Sequence, residues 1–217
     1  FKAVDSSNLY IGSSEENGTF VLRLNQGINL DNDEFKGFSL YDRAKISLSS
    51  PKNKYWLEDI KYISEKGFEN SSVGLATVKK TDGIYLKPQK LNYCFDFSYL
   101  SRNKDSVAIR AGLISATQIL IQRAALELDI APEEFEQIEP KLIDNVPVLQ
   151  ICDQLANGAG FSQKLSESSE SSGIPLVLDL IRSILSDSND LLSIKLRADE
   201  HKASCLGACY KCIQRYG

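Results

Sequence analysis

Apolar and polar positions alternate in short runs over the first half of the chain and recur at helical spacing over much of the second. Leu9-Tyr10-Ile11 and Phe20-Val21-Leu22-Arg23-Leu24 are short apolar runs, and the Asn17-Gly18 pair between them is a strong turn signal, so a β-hairpin is expected. Residues 38–41 and 44–48 offer two further strands before Pro51, and Trp56, Ile60 and Ile63 then recur at helical spacing ahead of Gly67, which predicts a short helix with Trp56 as a core residue. Residues 73–78, 84–86 and 93–97 are rich in Thr, Val, Ile, Tyr and Phe, with Lys79-Lys80-Thr81-Asp82-Gly83 as the turn after the first, so two or three strands are expected. Cys94 alternates with Tyr93 and Phe95, the position of an inert sheet residue.

The clearest helix spans 106–129. Val107, Leu113, Ile114, Leu120, Ile121, Ala124, Ala125 and Leu128 give it a broad apolar surface, and Asp105 or Ser106 supplies a cap. A helix apolar over so much of its circumference belongs at the centre of a core. A connector over 130–135 leads to a strand or loop over 136–144, and 146–152 reads as a buried strand in which Pro147 is confined to the start or to an edge. That strand runs directly into a glycine-rich turn, Asn157-Gly158-Ala159-Gly160, and a short helix over 161–165. The serine- and glutamate-rich run 166–173 reads as a mobile surface loop. Pro175 marks the start of a helix carrying Val177, Leu180, Ile181, Ile184 and Leu185, and Asp190 caps a last helix with Leu191, Ile194 and Ala198 that leads into His201.

Composition narrows the class. The chain has 217 residues, 42% of them hydrophobic and 25% charged, which fits an ordinary globular chain long enough to bury a core without disulfides. It begins at Phe1 and contains no methionine, so the expectation is a fragment or processed product, a cytoplasmic segment of something larger. No basic-plus-apolar leader and no apolar run of membrane-spanning length is present in it. A net charge of −4 argues against a wholly basic nucleic-acid-binding surface, although Lys79, Lys80, Lys87 and Lys90 form a local basic patch, with Arg102 and Lys104 soon after. Glu133, Glu134, Glu136 and Glu139 form its acidic counterpart.

Candidate chemistry is concentrated at the C-terminus. The run His201-x3-Cys205-x3-Cys209-x2-Cys212 contains three of the five cysteines and the one histidine, and an odd cysteine count does not read as a disulfide framework. Thiolates with an imidazole are the ligands zinc prefers, and Cys209-x-x-Cys212 has the bite of a zinc knuckle. His201, Cys205 and Cys209 are each four apart, so a helix continuing through them would bring successive members to one face. The fourth ligand is His201, or Cys152 if its strand end comes close. Such a closed site describes a structural Zn2+, which performs no catalysis. A thioredoxin-like role for Cys209-x-x-Cys212 is the rival, but that motif follows a strand and opens a helix, whereas this one follows a helix. The fold class is thus mixed α+β, with a mostly antiparallel or mixed sheet, a long central helix and a helical C-terminal zinc-knuckle subdomain. A β-rich N-terminal part covers 1–72, and the second domain covers 73–217.

A second, weaker signal is the Asn157-Gly158-Ala159-Gly160 turn after Asp153. Glycines at a strand-to-helix turn allow close backbone approach, and helix N-terminal amides can hold a phosphate. The run is neither a Walker A loop nor a dinucleotide fingerprint. Lys79, Lys80 and the Asn157, Gly158 and Gly160 backbone are the candidate nucleic-acid contacts; no residue is assigned a catalytic role.

Several of these pieces, in this order, resemble the MrfA-like zinc-binding (MZB) domain found at the C-terminus of DEAD/DEAH-type helicases and in DrmB, a protein of DISARM anti-phage defence. The matching runs are Lys80-Thr81-Asp82 before an apolar strand, 116–129 followed by Ile130-Ala131-Pro132-Glu133-Glu134-Phe135, Cys152-Asp153-Gln154-Leu155-Ala156-Asn157-Gly158-Ala159-Gly160-Phe161, and His201-x3-Cys205-x3-Cys209-Tyr210-x-Cys212-x3-Tyr216. They cover roughly residues 75–217. The Cys-Tyr-x-Cys run with an upstream histidine resembles the DrmB-like version more than the four-cysteine helicase version. The resemblance implies an accessory module that binds zinc structurally and supports DNA handling by an ATP-driven helicase, in cis or on a partner chain. Helicase ATPase motifs are absent from this chain, so it is expected to hydrolyse no ATP itself. The alternative is a protein-interaction scaffold that docks a helicase partner, with no direct DNA contact.

Overall fold

The computed structural model describes residues 2–6, 9–13, 18–25, 38–39, 72–73, 75–89, 104–144, 146–186, 189–209 and 212–213. The expected helix around Trp56, the strands over 44–48 and 93–97 with Cys94, the Asn17 half of the turn, and Lys90 and Arg102 lie outside them. The chain divides into two compact units, residues 1–21 with 79–217, and residues 22–78.

The larger unit is built on a five-stranded sheet in the order β1-β2-β7-β9-β8, from strands β1 (Lys2–Ser6), β2 (Leu9–Ser13), β7 (Gly83–Pro88), β9 (Val146–Asp153) and β8 (Phe135–Ile143). Each adjacent pair is antiparallel. Strands β3 (Thr19–Asn25) and β6 (Leu75–Thr81) form a separate two-stranded sheet, and in the smaller unit β4 (Phe38–Ser39) pairs with β5 (Ser72–Val73). The mixed α+β class and the antiparallel sheet are as expected. Among the described residues the expected pairing of 9–11 with 20–24 is not seen: β2 pairs with β1 and β7, while β3 pairs with β6. Burial explains the partition, because Ile11 sits in the core beside Ile84 and Leu86 whereas Phe20 and Leu22 stay exposed. Lys79, Lys80 and Thr81, expected in a turn, are the end of β6, and Asp82 alone joins β6 to β7.

Helix α1 (Lys104–Leu128) lies against this sheet and starts two residues before the expected 106, so Asp105 and Ser106, the expected caps, lie within its first turn. Leu120, Ile121 and Ala124 pack with Ile84, Leu86, Ile151 and Phe135, and all of them are buried. A short 3-10 turn, Pro132–Glu134, feeds β8, where a register shift between Ile138 and Lys141 surrounds Pro140. Pro147 pairs only with Leu142 of β8, since β7 reaches β9 from Leu149 onward; the proline therefore sits where no second strand needs its missing amide. Helices α2 (Phe161–Lys164) and α3 (Leu176–Ser186) follow, and α3 buries Val177, Leu178 and Leu180. The run between them is hydrogen-bonded rather than a free loop: Ser169 N–H donates to the Ile174 carbonyl, Gly173 N–H to Ser169, Leu176 N–H to Glu167 and Val177 N–H to Leu165. Its polar composition hides Leu165 at its edge, fully buried among the core residues.

Asp190 caps α4 (Leu191–Arg197) as expected, accepting from the amides of Leu192 and Ser193. It is also fixed from the long helix, where Arg123 Nε lies 2.6 Å from its Oδ2 and a second Arg123 nitrogen reaches Glu127 at 2.8 Å. The expected single last helix is divided. Ala198 adopts an extended conformation (φ −58°, ψ 139°) and α5 (Asp199–Ser204) starts anew. No helix of the described residues is long and apolar enough to cross a membrane.

Candidate metal centre

Four ligand atoms converge at the C-terminal end of α5. The helix supplies His201, and it stops at Ser204, with Cys205 in an extended conformation (φ −108°, ψ 102°). The expected helix through His201, Cys205 and Cys209 is therefore not formed, for a steric reason: a helix would stack these side chains in a row, whereas a tetrahedron needs them on different sides of one point. By turning after Cys205 the chain returns Cys209 and Cys212 towards the helix end, where Cys212 N–H closes a tight turn onto the Cys209 carbonyl at 2.9 Å.

Three of the distances between ligand atoms fit a tetrahedral Cys3His site. A tetrahedral ion with metal–sulfur and metal–nitrogen bonds of about 2.3 Å and about 2.0 Å holds two sulfurs about 3.8 Å apart and a sulfur and a nitrogen about 3.5 Å apart. Cys205 Sγ lies 3.7 Å from Cys212 Sγ, Cys212 Sγ 3.7 Å from Cys209 Sγ, and Cys209 Sγ 3.5 Å from His201 Nε2. All ligand atoms of the four residues fall within 4.8 Å of one another, so the group can hold a metal ion.

The surroundings prepare each ligand. His201 Nδ1 lies 2.9 Å from the Leu196 carbonyl oxygen, which can only accept. Nδ1 therefore carries a proton and Nε2 is the nitrogen that faces the sulfurs, donating to them when the ring is charged and able to bind an ion when it is neutral. The Cys209 amide donates to Cys212 Sγ at 3.1 Å. Burial pushes the Cys212 thiol up, but the hydrogen bonds from the Cys209 amide, His201, the Ile213 amide and Cys205 outweigh it and bring the group to about 6. Hydrogen bonding to Cys212, then to the Leu196 carbonyl and Cys209, pushes His201 up from its ordinary value. A cysteine drawn towards thiolate at neutral pH is a ligand ready for a cation. Cys152, the other candidate fourth ligand, lies buried in β9 opposite Gly83 and Glu136, outside the group of four; His201 completes the set instead.

The glycine turn is a second, separate node. The fully buried Asp153 ends β9, and its Oδ2 accepts from the amides of Ala159 (2.7 Å) and Phe161 (3.1 Å). Its Oδ1 accepts from the Ser162 amide at 2.8 Å and from the Ser162 hydroxyl. Asp82 receives the Gly160 amide at 3.3 Å and the Gln163 side-chain amide at 2.9 Å. The Asn157 amide donates to the Lys80 carbonyl at 2.7 Å and that of Gly158 to Leu155 at 3.2 Å. A phosphate would reach the amides of Ala159, Gly160, Phe161 and Ser162 only in exchange for the two carboxylates, and those of Asn157 and Gly158 only in exchange for backbone carbonyls. Gly158 has φ +79°, and a Cβ there would come within 2.0 Å of Asp82 Oδ2, which accounts for the glycine. Lys79 is drawn inward: its ammonium pairs with Glu136 and donates to the carbonyls of Asp153 (3.0 Å) and Gln154 (3.2 Å). Lys80, its neighbour on β6, is exposed.

The sequence pattern marks the four clustered side chains and the turn but not Asp82, Thr81 and Glu136 as partners of that turn. Thr81 Oγ1 donates to the carbonyls of Asp153 and Leu155 at 2.9 and 2.8 Å, so β6 and the end of β9 are stitched together by side chains. Only the pairing of Thr81-Asp82 with a buried strand more than seventy positions later creates this node, and no local pattern marks it.

No protein-family model matches the chain, and no curated protein does. A solved structure described as a DUF1998 helicase MrfA bound to DNA matches at 9% sequence identity with a TM-score of 0.44, over 99% of this chain and 21% of that one. The chain thus spans about a fifth of that helicase's length.

Proposed function

We propose that this chain is a zinc-binding accessory module for nucleic-acid handling, working with a helicase domain in cis or on a partner chain in the cytoplasm, the DISARM-type defence proteins being one such setting. The observation that carries the metal half is the convergence of His201, Cys205, Cys209 and Cys212 at tetrahedral spacing. Three thiolates and one imidazole match zinc in softness and fill four positions, leaving none for water or substrate. The ion would supply folding energy rather than a reacting centre. Thiols kept free for a metal also fit a reducing compartment.

The helicase half rests on the sequence motifs, the Cys-Tyr-x-Cys run with its upstream histidine and the Asn157 to Gly160 turn. Of the lysines first considered, Lys80 is the one whose exposure supports a phosphate contact, since Lys79 is held by Glu136. The protein-interaction scaffold remains the second reading, and it has its own support: the turn amides already have acceptors inside the chain.

Two measurements test this. Elemental analysis should find one zinc per chain, lost in Cys212→Ser; a metal-free protein that is fully folded would sink the zinc assignment. Fluorescence anisotropy with labelled DNA should show binding that weakens steeply as salt is raised, because each phosphate contact releases counterions. Absence of binding at low salt would leave the scaffold.

A further inference from the structure

The face of the five-stranded sheet turned away from α1 carries an aromatic platform. Along β2, Tyr10 and Gly12 alternate with the buried Ile11; along β7, Tyr85 and Lys87 alternate with the buried Ile84 and Leu86. Register brings them together, since Gly12 faces Tyr85, Tyr10 faces Lys87 and Tyr85 faces Gln150 of β9. The Tyr85 ring lies across Gly12, where a Cβ would come within 2.1 Å of it, and stacks on Tyr10 with ring centroids 5.7 Å apart and planes at 30°. Glycine at position 12 is therefore what lets the second ring lie down on the sheet. Burial, with a hydrogen bond to Tyr10, pushes the Tyr85 hydroxyl up to about 12, so it stays protonated at neutral pH. The two rings, Lys87, Pro88, Ile143 and Gln150 line an open cavity of about 780 Å³.

We propose that this face binds single-stranded nucleic acid, with a base stacked on the Tyr10–Tyr85 platform, Gln150 offering its amide to the base edge and Lys87 meeting the backbone phosphate. The chemistry selects this ligand. The platform lies on β2, β7 and β9, inside the sheet rather than on its edges β1 and β8, so a peptide cannot add as a strand there. What lines the cavity is two half-buried phenol rings, one amide and one ammonium, the groups that single-strand recognition by stacking uses. Lys87 sits at the rim, 2.8 Å from the exposed Asp144 carboxylate, an ion pair in water that a phosphate can replace. Base-paired nucleotides keep their faces covered, so a duplex cannot use the platform. The inference rests on the nucleic-acid reading above and goes beyond it in naming strandedness and the contact surface.

The test uses the whole zinc-loaded chain, fluorescein-labelled oligothymidylate and a duplex control. Replacing both rings, Tyr10→Leu with Tyr85→Leu, should weaken single-strand binding at least tenfold and leave duplex binding unchanged, while Tyr10→Phe with Tyr85→Phe should bind as the parent does. A strand carrying 2-aminopurine should be quenched by the parent and the phenylalanine variant, and not by the leucine one. Lys87→Ala, with folding checked by circular dichroism, should lower the slope of log affinity against log salt by about one. If the parent binds single strands with salt dependence and neither the leucine variant nor Lys87→Ala changes that binding, nucleic acid is held elsewhere and the platform is overturned while the general reading stands. If the parent binds no nucleic acid, both fall.

Discussion

Asp153 is the most informative residue to perturb, because one fully buried carboxylate receives three backbone amides and a hydroxyl. Asp153→Asn keeps the shape and removes one acceptor oxygen. The new NH2 would settle on the Ser162 side, where the hydroxyl can rotate to accept, and the Ser162 amide would then be stranded. A buried donor left without a partner costs about 1–3 kcal/mol, and the lost charge assistance on the remaining bonds adds to it, so a net loss of about 2–3 kcal/mol is expected. Asp153→Ala strands all four donors and should lose about 4 kcal/mol or more, less than a simple sum because the turn can relax. Urea denaturation gives the totals, and hydrogen exchange at Ala159, Phe161 and Ser162 gives the location. An asparagine variant within about 0.5 kcal/mol of the parent, with those amides still protected, would refute the assignment of Asp153 as the anchor of the turn.

Gly158→Ala should destabilise by about 1–3 kcal/mol, measured in the same urea titration, since it combines a left-handed backbone with contacts onto the Asp82 carboxylate and backbone amide. Asp190 should set the acid limit of the larger unit. Burial raises this carboxyl, but the Ser193 amide, Arg123 and Ser183 outweigh it and hold it below its ordinary value, so its contribution is complete above the unfolded-state value and lost as pH falls through the folded one. Midpoints between pH 7 and acid should therefore fall less steeply in Asp190→Asn than in the parent. Chelation should raise hydrogen exchange over 199–213 and leave 146–153 protected; uniform exchange change across the sheet would oppose a local structural role for the metal.

What could be read from the sequence was whatever depends on near neighbours. The apolar circumference around Leu120 and Ile121, the cap at Asp190, the proline-limited start of β9 and the spacing of the four ligands are each set within a few residues. What escaped depends on partners far along the chain. Asn17-Gly18 promised a hairpin, yet the core selected Ile11 for one sheet and left Phe20 exposed on another. The polar run before Pro175 looked mobile because serine and glutamate do not advertise the amide-to-carbonyl bonds that order it. The glycine turn looked like a phosphate cradle because the carboxylate of Asp82, which fills it, comes from a distant strand.

The glycine turn and the C-terminal cluster answer two different difficulties within the larger unit. The turn after β9 holds irregular backbone close to the core, so its amides must have acceptors, and two carboxylates provide them where water does not reach. The C-terminal segment has the opposite difficulty, too little apolar burial. Helix α4 buries Leu192 and Ser193 while Leu191 and Ile194 stay exposed, α5 buries nothing, and Leu206 between the cysteines is fully exposed. Helices of seven and six residues cannot persist on propensity alone. Asp190 anchors the first of them through Arg123 of the long helix, whereas among the described residues beyond Ala198 Cys212 alone is buried. Four bonds to one ion would be strong enough to replace the missing core there, and the four candidate ligands sit where the hydrophobic pattern ends.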